Sequence, residues 1–254
     1  MNDSVSNVSI NVKILFLIIA LVVLFQIVIS LIPSEDDADV IISVVSFINP
    51  LSAAFACFYL VKNSNTHLFR KSFLYFGFGF IAIVLAEITY VVYDLILGLD
   101  PYPSIADVFF FALYPFTIIF MLLNIRSVSP HVGNFAKFWM ALISVWIVSS
   151  FVFVSLQEIG DANFDFYYGL IFISGTAITL SISAYGVKIF QKSPLKKIWL
   201  FLMIGIIAGT IGDMWYYYLE LFGEYDLFHP VNGFWYASYW ILFYAILKFK
   251  KSSK

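Results

Sequence analysis

Eight long apolar runs separated by short polar loops constrain this chain more than any other feature of its sequence. They fall at roughly 12–32, 40–61, 72–97, 105–125, 136–156, 166–188, 197–221 and 233–248. A helix needs about 20 apolar residues to cross a bilayer. Backbone amides in lipid have no water to bond, so such runs must satisfy themselves as helices. Only 12% of the 254 residues are charged, about half the share in a soluble domain. The runs and their loops use nearly the whole length and leave no room for a soluble catalytic or nucleic-acid-binding domain. The expected fold class is all-α: a polytopic membrane protein of about eight transmembrane helices.

Breakers and ends agree with this division. Pro33, Pro101, Pro103, Pro130, Pro194 and Pro230 lie between the runs, where helix breakers belong. Pro50, preceded by Asn49, lies inside the second run and predicts a kink whose freed backbone groups find neighbouring partners. The first run is long for a signal peptide. Ile32-Pro33-Ser34-Glu35 follows it instead of a small-residue cleavage site, so it reads as a retained helix.

Charge alternates from loop to loop. Lys13 opens the chain; Lys62, Arg70 and Lys71 follow the second run, Arg126 and Lys137 the fourth, and Lys188, Lys192, Lys196 and Lys197 the sixth. Lys248, Lys250, Lys251 and Lys254 close the chain, which completes all 14 basic residues. The opposite loops carry Glu35, Asp36, Asp37, Asp39, Asp100, Glu158, Asp161, Asp165, Glu224 and Asp226 and no basic residue. Basic loops stay in the cytoplasm. Both termini are therefore expected there, in a multi-pass protein of the cell membrane.

The sequence also repeats at an offset of 126 residues. Val61-Lys62 matches Val187-Lys188, Lys71 matches Lys197, Gly79 matches Gly205 and Ala82 matches Ala208. Glu87 then matches Asp213, Tyr90 matches Tyr216 and Asp94 matches Glu220. After a one-residue gap, Asp107 matches Asn232, Ala112 matches Ala237 and Tyr114 matches Tyr239. Four helices are an even number, so both halves enter the membrane from the same side. The expectation is a parallel tandem repeat of two four-helix units, 1–130 and 131–254, related by an axis along the membrane normal. Gly205-Ile206-Ile207-Ala208-Gly209 is a small-residue motif of the kind that brings helices close in lipid. With Ala82 and Ala86 at similar spacing, it predicts that the third and seventh helices are central.

Glu87 and Asp213 are the residues singled out for chemistry. At about 1.5 Å per residue, both sit well below the outer end of their helices. A charge at the bilayer centre costs about 3 kcal/mol or more, so both should face the protein interior. Glu87, Tyr90 and Asp94 share one helical face, and so do Asp213, Tyr216 and Glu220. Tyr114 reaches the depth of Glu87 and Tyr239 that of Asp213, with Asp107 and Asn232 nearer the surface. Each half is thus expected to build its own acidic, tyrosine-lined pocket opening outward.

Three uses are open for these acids. They could lock helices together through hydrogen bonds. They could bind a small cation, an amine or a lipid headgroup. They could also act as a catalytic pair, one carboxylate activating water and the other protonating a leaving group. Tyr93-Asp94 fits the first motif of an aspartyl intramembrane protease, but Thr210-Ile211-Gly212-Asp213 lacks the first glycine of the second. No phosphate-cradling glycine loop is present, and no lysine lies deep in the last helix to hold retinal. Cys57 is the single cysteine and reads as a small buried hydrophobe. His67, His131 and His229 fall in expected loops, so no metal centre and no cofactor are expected. Trp215, Tyr216, Tyr217 and Tyr218 read as interfacial belt and packing.

Pro103-Ser104-Ile105-Ala106-Asp107-Val108-Phe109-Phe110, followed by Tyr114-Pro115, resembles a recurrent segment of bacterial membrane sensor modules that precede diguanylate cyclase or phosphodiesterase domains. Gly212-Asp213, Tyr216 and the stretch from Trp235 to Tyr239 are similar to the later part of those modules. The resemblance spans the third, fourth, seventh and eighth helices and implies a non-catalytic sensory or ligand-binding module. No output domain is expected after Lys254, so a signal would pass through a separate signalling protein or a homo-oligomer. The chain also resembles the lysoplasmalogenase-like family of eight-helix proteins, with Glu87 and Asp213 at the matching points. That resemblance implies a membrane-embedded hydrolase, but Ala112-Leu113-Tyr114 stands where a histidine is expected.

Overall fold

A computed structural model describes residues 11–64, 67–222 and 225–252; Glu224 and Lys254 lie outside them. It is all-helical. The helices are α1 (Lys13–Ser30), α2 (Glu35–Asn63), α3 (His67–Val91), α4 (Ile105–Val128), α5 (Asn134–Ile159), α6 (Phe164–Phe190), α7 (Lys196–Glu220) and α8 (Asn232–Ser252). A π-helical turn, Val92–Ile96, continues α3. Helices α1 to α7 are each long and apolar enough to cross a membrane. Asn232, Trp235, Tyr236, Tyr239 and Trp240 make α8 more polar than the rest. Helix α2 runs unbroken through Pro50, and α4 through Pro115. His67 opens α3 rather than lying in a loop.

The helix bounds gather every described Lys and Arg at one end of the bundle, and the short loops at the other end carry Asp100, Asp161 and Asp226. Three of the helices that begin at this acidic end carry a side-chain cap. Ser34 caps α2, Ser104 caps α4 and Asn163 caps α6, each side chain accepting a backbone N–H of the first turn. Those N–H groups have no partner within the helix and would otherwise be lost near lipid.

Six helices close a ring in the order α2, α3, α4, α6, α7, α8 and back to α2. Two helices lie outside it: α1 leans on α8, and α5 on α6. Gln26 of α1 donates to the Phe228 carbonyl in the loop before α8, which pins α1 there. Helices α3 and α7, expected to be central, both belong to the ring but are not close neighbours within it. Gly205 faces Leu242 and Gly209 faces Ser238, both on α8, while Gly79 faces Leu113 and Phe116 of α4. A small-residue face sets how closely helices approach, not which helix arrives, and here each is used against the next helix in the chain.

At the basic end the ring is filled. Phe76 stacks on Phe120 with centroids 4.3 Å apart, and Phe190 on Trp199 at 4.5 Å. Phe73 and Ile198 are fully buried among them. Trp199 fits because Gly186 has no Cβ, which would stand 2.5 Å from its ring. Cys57 is sealed within this core. The filled end leaves the acidic end as the place where the ring is open.

Candidate functional site: a cup at the acidic end

At the acidic end the ring encloses a cavity of about 150 Å³. All six ring helices contribute to it. Helix α3 supplies Ile83, Glu87, Tyr90 and Val91, and α7 supplies Gly209, Asp213, Tyr216 and Tyr217. Helix α4 supplies Asp107, Phe110, Leu113 and Tyr114; α8 supplies Asn232, Trp235, Tyr236, Ser238 and Tyr239. Ile42, Ser43 and Ser46 of α2 and Phe172 of α6 complete the wall, with Tyr102, Tyr225 and Leu227 from the loops. One cup therefore gathers residues of both halves, where two separate pockets were expected. Position along a helix does not say which helices face each other.

Asp213 is held from two sides. The Tyr114 hydroxyl donates to its Oδ2 at 2.8 Å, and the Trp235 indole N–H donates to its Oδ1 at 2.9 Å. Thr176 of α6 lies beside it. Two glycines make this possible. A Cβ on Gly175 would stand 2.7 Å from the Tyr114 ring, and one on Gly212 would stand 2.8 Å from the Trp235 nitrogen. The carboxylate thus ties α4, α7 and α8 together.

Glu87 differs. It lines the same cup, yet no described residue donates a hydrogen bond to it. Tyr90, Tyr225, Tyr236 and Tyr239 all lie within electrostatic reach of its carboxyl group. It meets a ring-lined space instead of a partner.

The other predicted residues divide. Asp107 accepts from the Ser104 backbone N–H at 2.7 Å in a capping box; it reaches the cup from the first turn of α4. Asn232 accepts from the Tyr225 hydroxyl at 3.1 Å and donates to the Leu227 carbonyl at 2.7 Å, which holds the α7–α8 loop over the cup. Tyr90, Tyr114, Tyr216 and Tyr239 line the wall. Asp94 and Glu220 do not. The π-helical turn rotates Asp94 out of the 3.6-residue register on which its alignment with Glu87 was based, and Glu220 is the last residue of α7.

Tyr217, read as belt, lines the cup, and so do Tyr102 and Tyr225, which the sequence did not single out, and Trp235 and Tyr236, which it offered only within the stretch that resembles the sensor modules. An aromatic residue near a helix end looks the same in sequence whether it belongs to an interfacial belt or to a cavity wall. In the loops, burial first and the Asp165 carboxylate second push the Tyr102 phenol above its ordinary range. Burial does the same for Tyr225. Both remain neutral hydroxyls that can donate to a ligand.

Among the described residues no group of three or more His, Cys, Asp or Glu side chains could hold a metal ion. No family model matches the chain, and no curated protein and no solved structure matches it.

Proposed function

We propose that this chain is a sensory or ligand-binding membrane module that takes up a small ligand in the cup, with Glu87 as its recognition acid. The observation that carries this reading is the contrast between the two deep acids. An acid kept only to brace helices would be partnered, as Asp213 is. Glu87 has no such partner among the described residues, and an acid at depth costs about 2.5–3.5 kcal/mol. A role beyond packing accounts for its presence. The chemistry of the wall suits a small cation, an amine or a lipid headgroup.

The module is proposed to be a parallel tandem repeat with both termini cytoplasmic, and α8 then crosses the membrane as the eighth span. The lining of the cup supports this. Ile83, Glu87, Tyr90 and Val91 stand 126 positions before Gly209, Asp213, Tyr216 and Tyr217. Asp107, Phe110, Leu113 and Tyr114 stand 125 positions before Asn232, Trp235, Ser238 and Tyr239. The ring order is likewise unchanged when α2, α3 and α4 are exchanged with α6, α7 and α8. The cup then lies on the repeat axis, opening away from the cytoplasm. A signal would leave through a separate signalling protein or a second copy of the chain.

The test is a thermal-shift panel of amines, lipids and divalent ions on the purified protein. Saturable stabilisation that disappears in Glu87→Gln is expected, without turnover. The absence of any saturable shift would overturn the reading. The hydrolase alternative draws on one observation, that Glu87 and Asp213 share a single cavity. It requires cleavage of an ether lipid that is lost in Glu87→Gln. Both oxygens of Asp213 are already engaged, which disfavours it as a general base.

A further inference from the structure

Under the repeat register, the groups around Asp213 have counterparts in the first half of the chain. Tyr114 corresponds to Tyr239, Trp235 to Phe110 and Thr176 to Pro50. Phe110 and Pro50 have no side-chain donor. Gly212, which admits the indole, corresponds to Ala86. The first half thus has the acid and a tyrosine but lacks the indole donor that helps lock Asp213, and the hydroxyl that lies beside it. What replaces them is apolar or aromatic.

Such a site selects by charge and by softness. A metal ion would need several oxygen or nitrogen ligands at fixed distances, and no described cluster supplies them. An anion would meet a carboxylate with no compensating cation, because every described Lys and Arg lies at the other end of the bundle. An organic ammonium needs one counter-charge and aromatic rings around its alkyl groups. Glu87 supplies the first, and Tyr90, Tyr236 and Tyr239 line the same cup within its electrostatic reach. The volume of about 150 Å³ is of the order that admits a molecule the size of benzene, so the ligand or headgroup is compact.

We infer that the cup recognises a small organic monocation, an alkylated ammonium or protonated amine, whose charge pairs with Glu87 among tyrosine rings. This rests on the ligand-binding reading above and names its ligand class. The cation could be free or could be the headgroup of a lipid.

The experiment uses Ser43→Cys, a cup-lining position, in the full chain purified in a neutral sugar detergent. The native Cys57 is fully buried and leaves the introduced thiol as the reactive one. A small, neutral, water-soluble thiol reagent reports access to the cup. Protection is then measured with choline, with lysophosphatidylcholine, and with 3,3-dimethylbutanol, the uncharged isostere of choline. Saturable protection by choline or by lysophosphatidylcholine is expected, with the isostere weaker by about tenfold or more. Protection by the lysolipid alone assigns a headgroup, and protection by choline assigns a free cation. Adding Glu87→Gln should weaken protection by about thirtyfold or more, as for loss of one partner of a buried charge pair. If the thiol is labelled but neither cation protects it, or the isostere protects equally, the ligand class is wrong while the open cup stands. If the thiol is not labelled at all, the cup is closed to water, and the ligand-binding reading falls with the ligand class. The isostere comparison is made on the otherwise native cup and does not depend on folding of the Glu87→Gln variant.

Discussion

The Tyr114 hydroxyl on α4 donates to Asp213 Oδ2 on α7 at 2.8 Å, so a residue of the first half holds the deep acid of the second. Helices α4 and α7 are not neighbours in the ring; they meet across α6. The bond therefore spans the cup wall rather than one helix seam. A double-mutant cycle of Tyr114→Phe and Asp213→Asn should give a coupling of about 1 kcal/mol, in the range of hydrogen bonds between membrane helices. Additive effects would remove the bond from the account.

Gly212 and Gly209 lie one turn apart on α7 and should respond differently to the same change. Gly212→Ala puts a Cβ 2.8 Å from the Trp235 nitrogen, whereas Gly209→Ala puts one 3.2 Å from the Ser238 hydroxyl, which can rotate away. Replacing helical glycine by alanine gains up to about 1 kcal/mol, while overpacking costs about 1–3 kcal/mol. Gly209→Ala should leave the melting temperature level or raised. Gly212→Ala should lower it, because the indole moves off Asp213. Equal shifts in a thermal melt would contradict the packing described.

The proposed orientation, with both termini cytoplasmic, rests on the segregation of charge between the two ends. Single cysteines placed at Asp36 and at Lys192 decide it by labelling of intact cells with an impermeant thiol reagent. Position 36 should label from outside and position 192 should not. The reverse pattern would invert the topology and turn the cup toward the cytoplasm.

The Asp213 arrangement can be transplanted. Phe110→Trp together with Ala86→Gly installs an indole donor, and room for it, beside Glu87. A hydrogen bond to a charged group contributes about 1.5–3 kcal/mol, so the double variant should melt higher than the parent. It should also lose protection by choline, because the acid is then occupied. A variant that melts higher yet still binds choline as the parent does would separate the free carboxyl from recognition.

How much of this was legible in the sequence depends on what is linear in it. Helices are linear: α3 through its π-helical turn, α4 and α7 begin and end close to where hydropathy and charge put them. The depth of Glu87 and Asp213 is linear too. Ring order is not. Nothing in the spacing of Gly205 and Gly209 says that they meet α8 rather than α3. Nothing in the position of Tyr114 says that it passes Glu87 and reaches Asp213. Asp94 lies in a local π-helical turn, a break in the 3.6-residue period that spacing alone does not announce. Trp235 was missed because a tryptophan near a helix end ordinarily marks the membrane interface. Its function shows only in three dimensions, where Gly212 clears the space for it.

The central claim is that the two deep acids have different jobs, Asp213 bracing the wall and Glu87 awaiting a ligand. The most direct test is the melting temperature of two parallel variants, Asp213→Leu and Glu87→Leu, purified and melted without added ligand. Asp213→Leu strands the Tyr114 hydroxyl and the Trp235 N–H, each at about 1–3 kcal/mol, and should melt well below the parent. Glu87→Leu strands no described donor and removes an acid with no described partner, so it should melt level with the parent or above it. Equal destabilisation by the two, or a larger loss from Glu87→Leu, would mean that Glu87 is a brace like its counterpart.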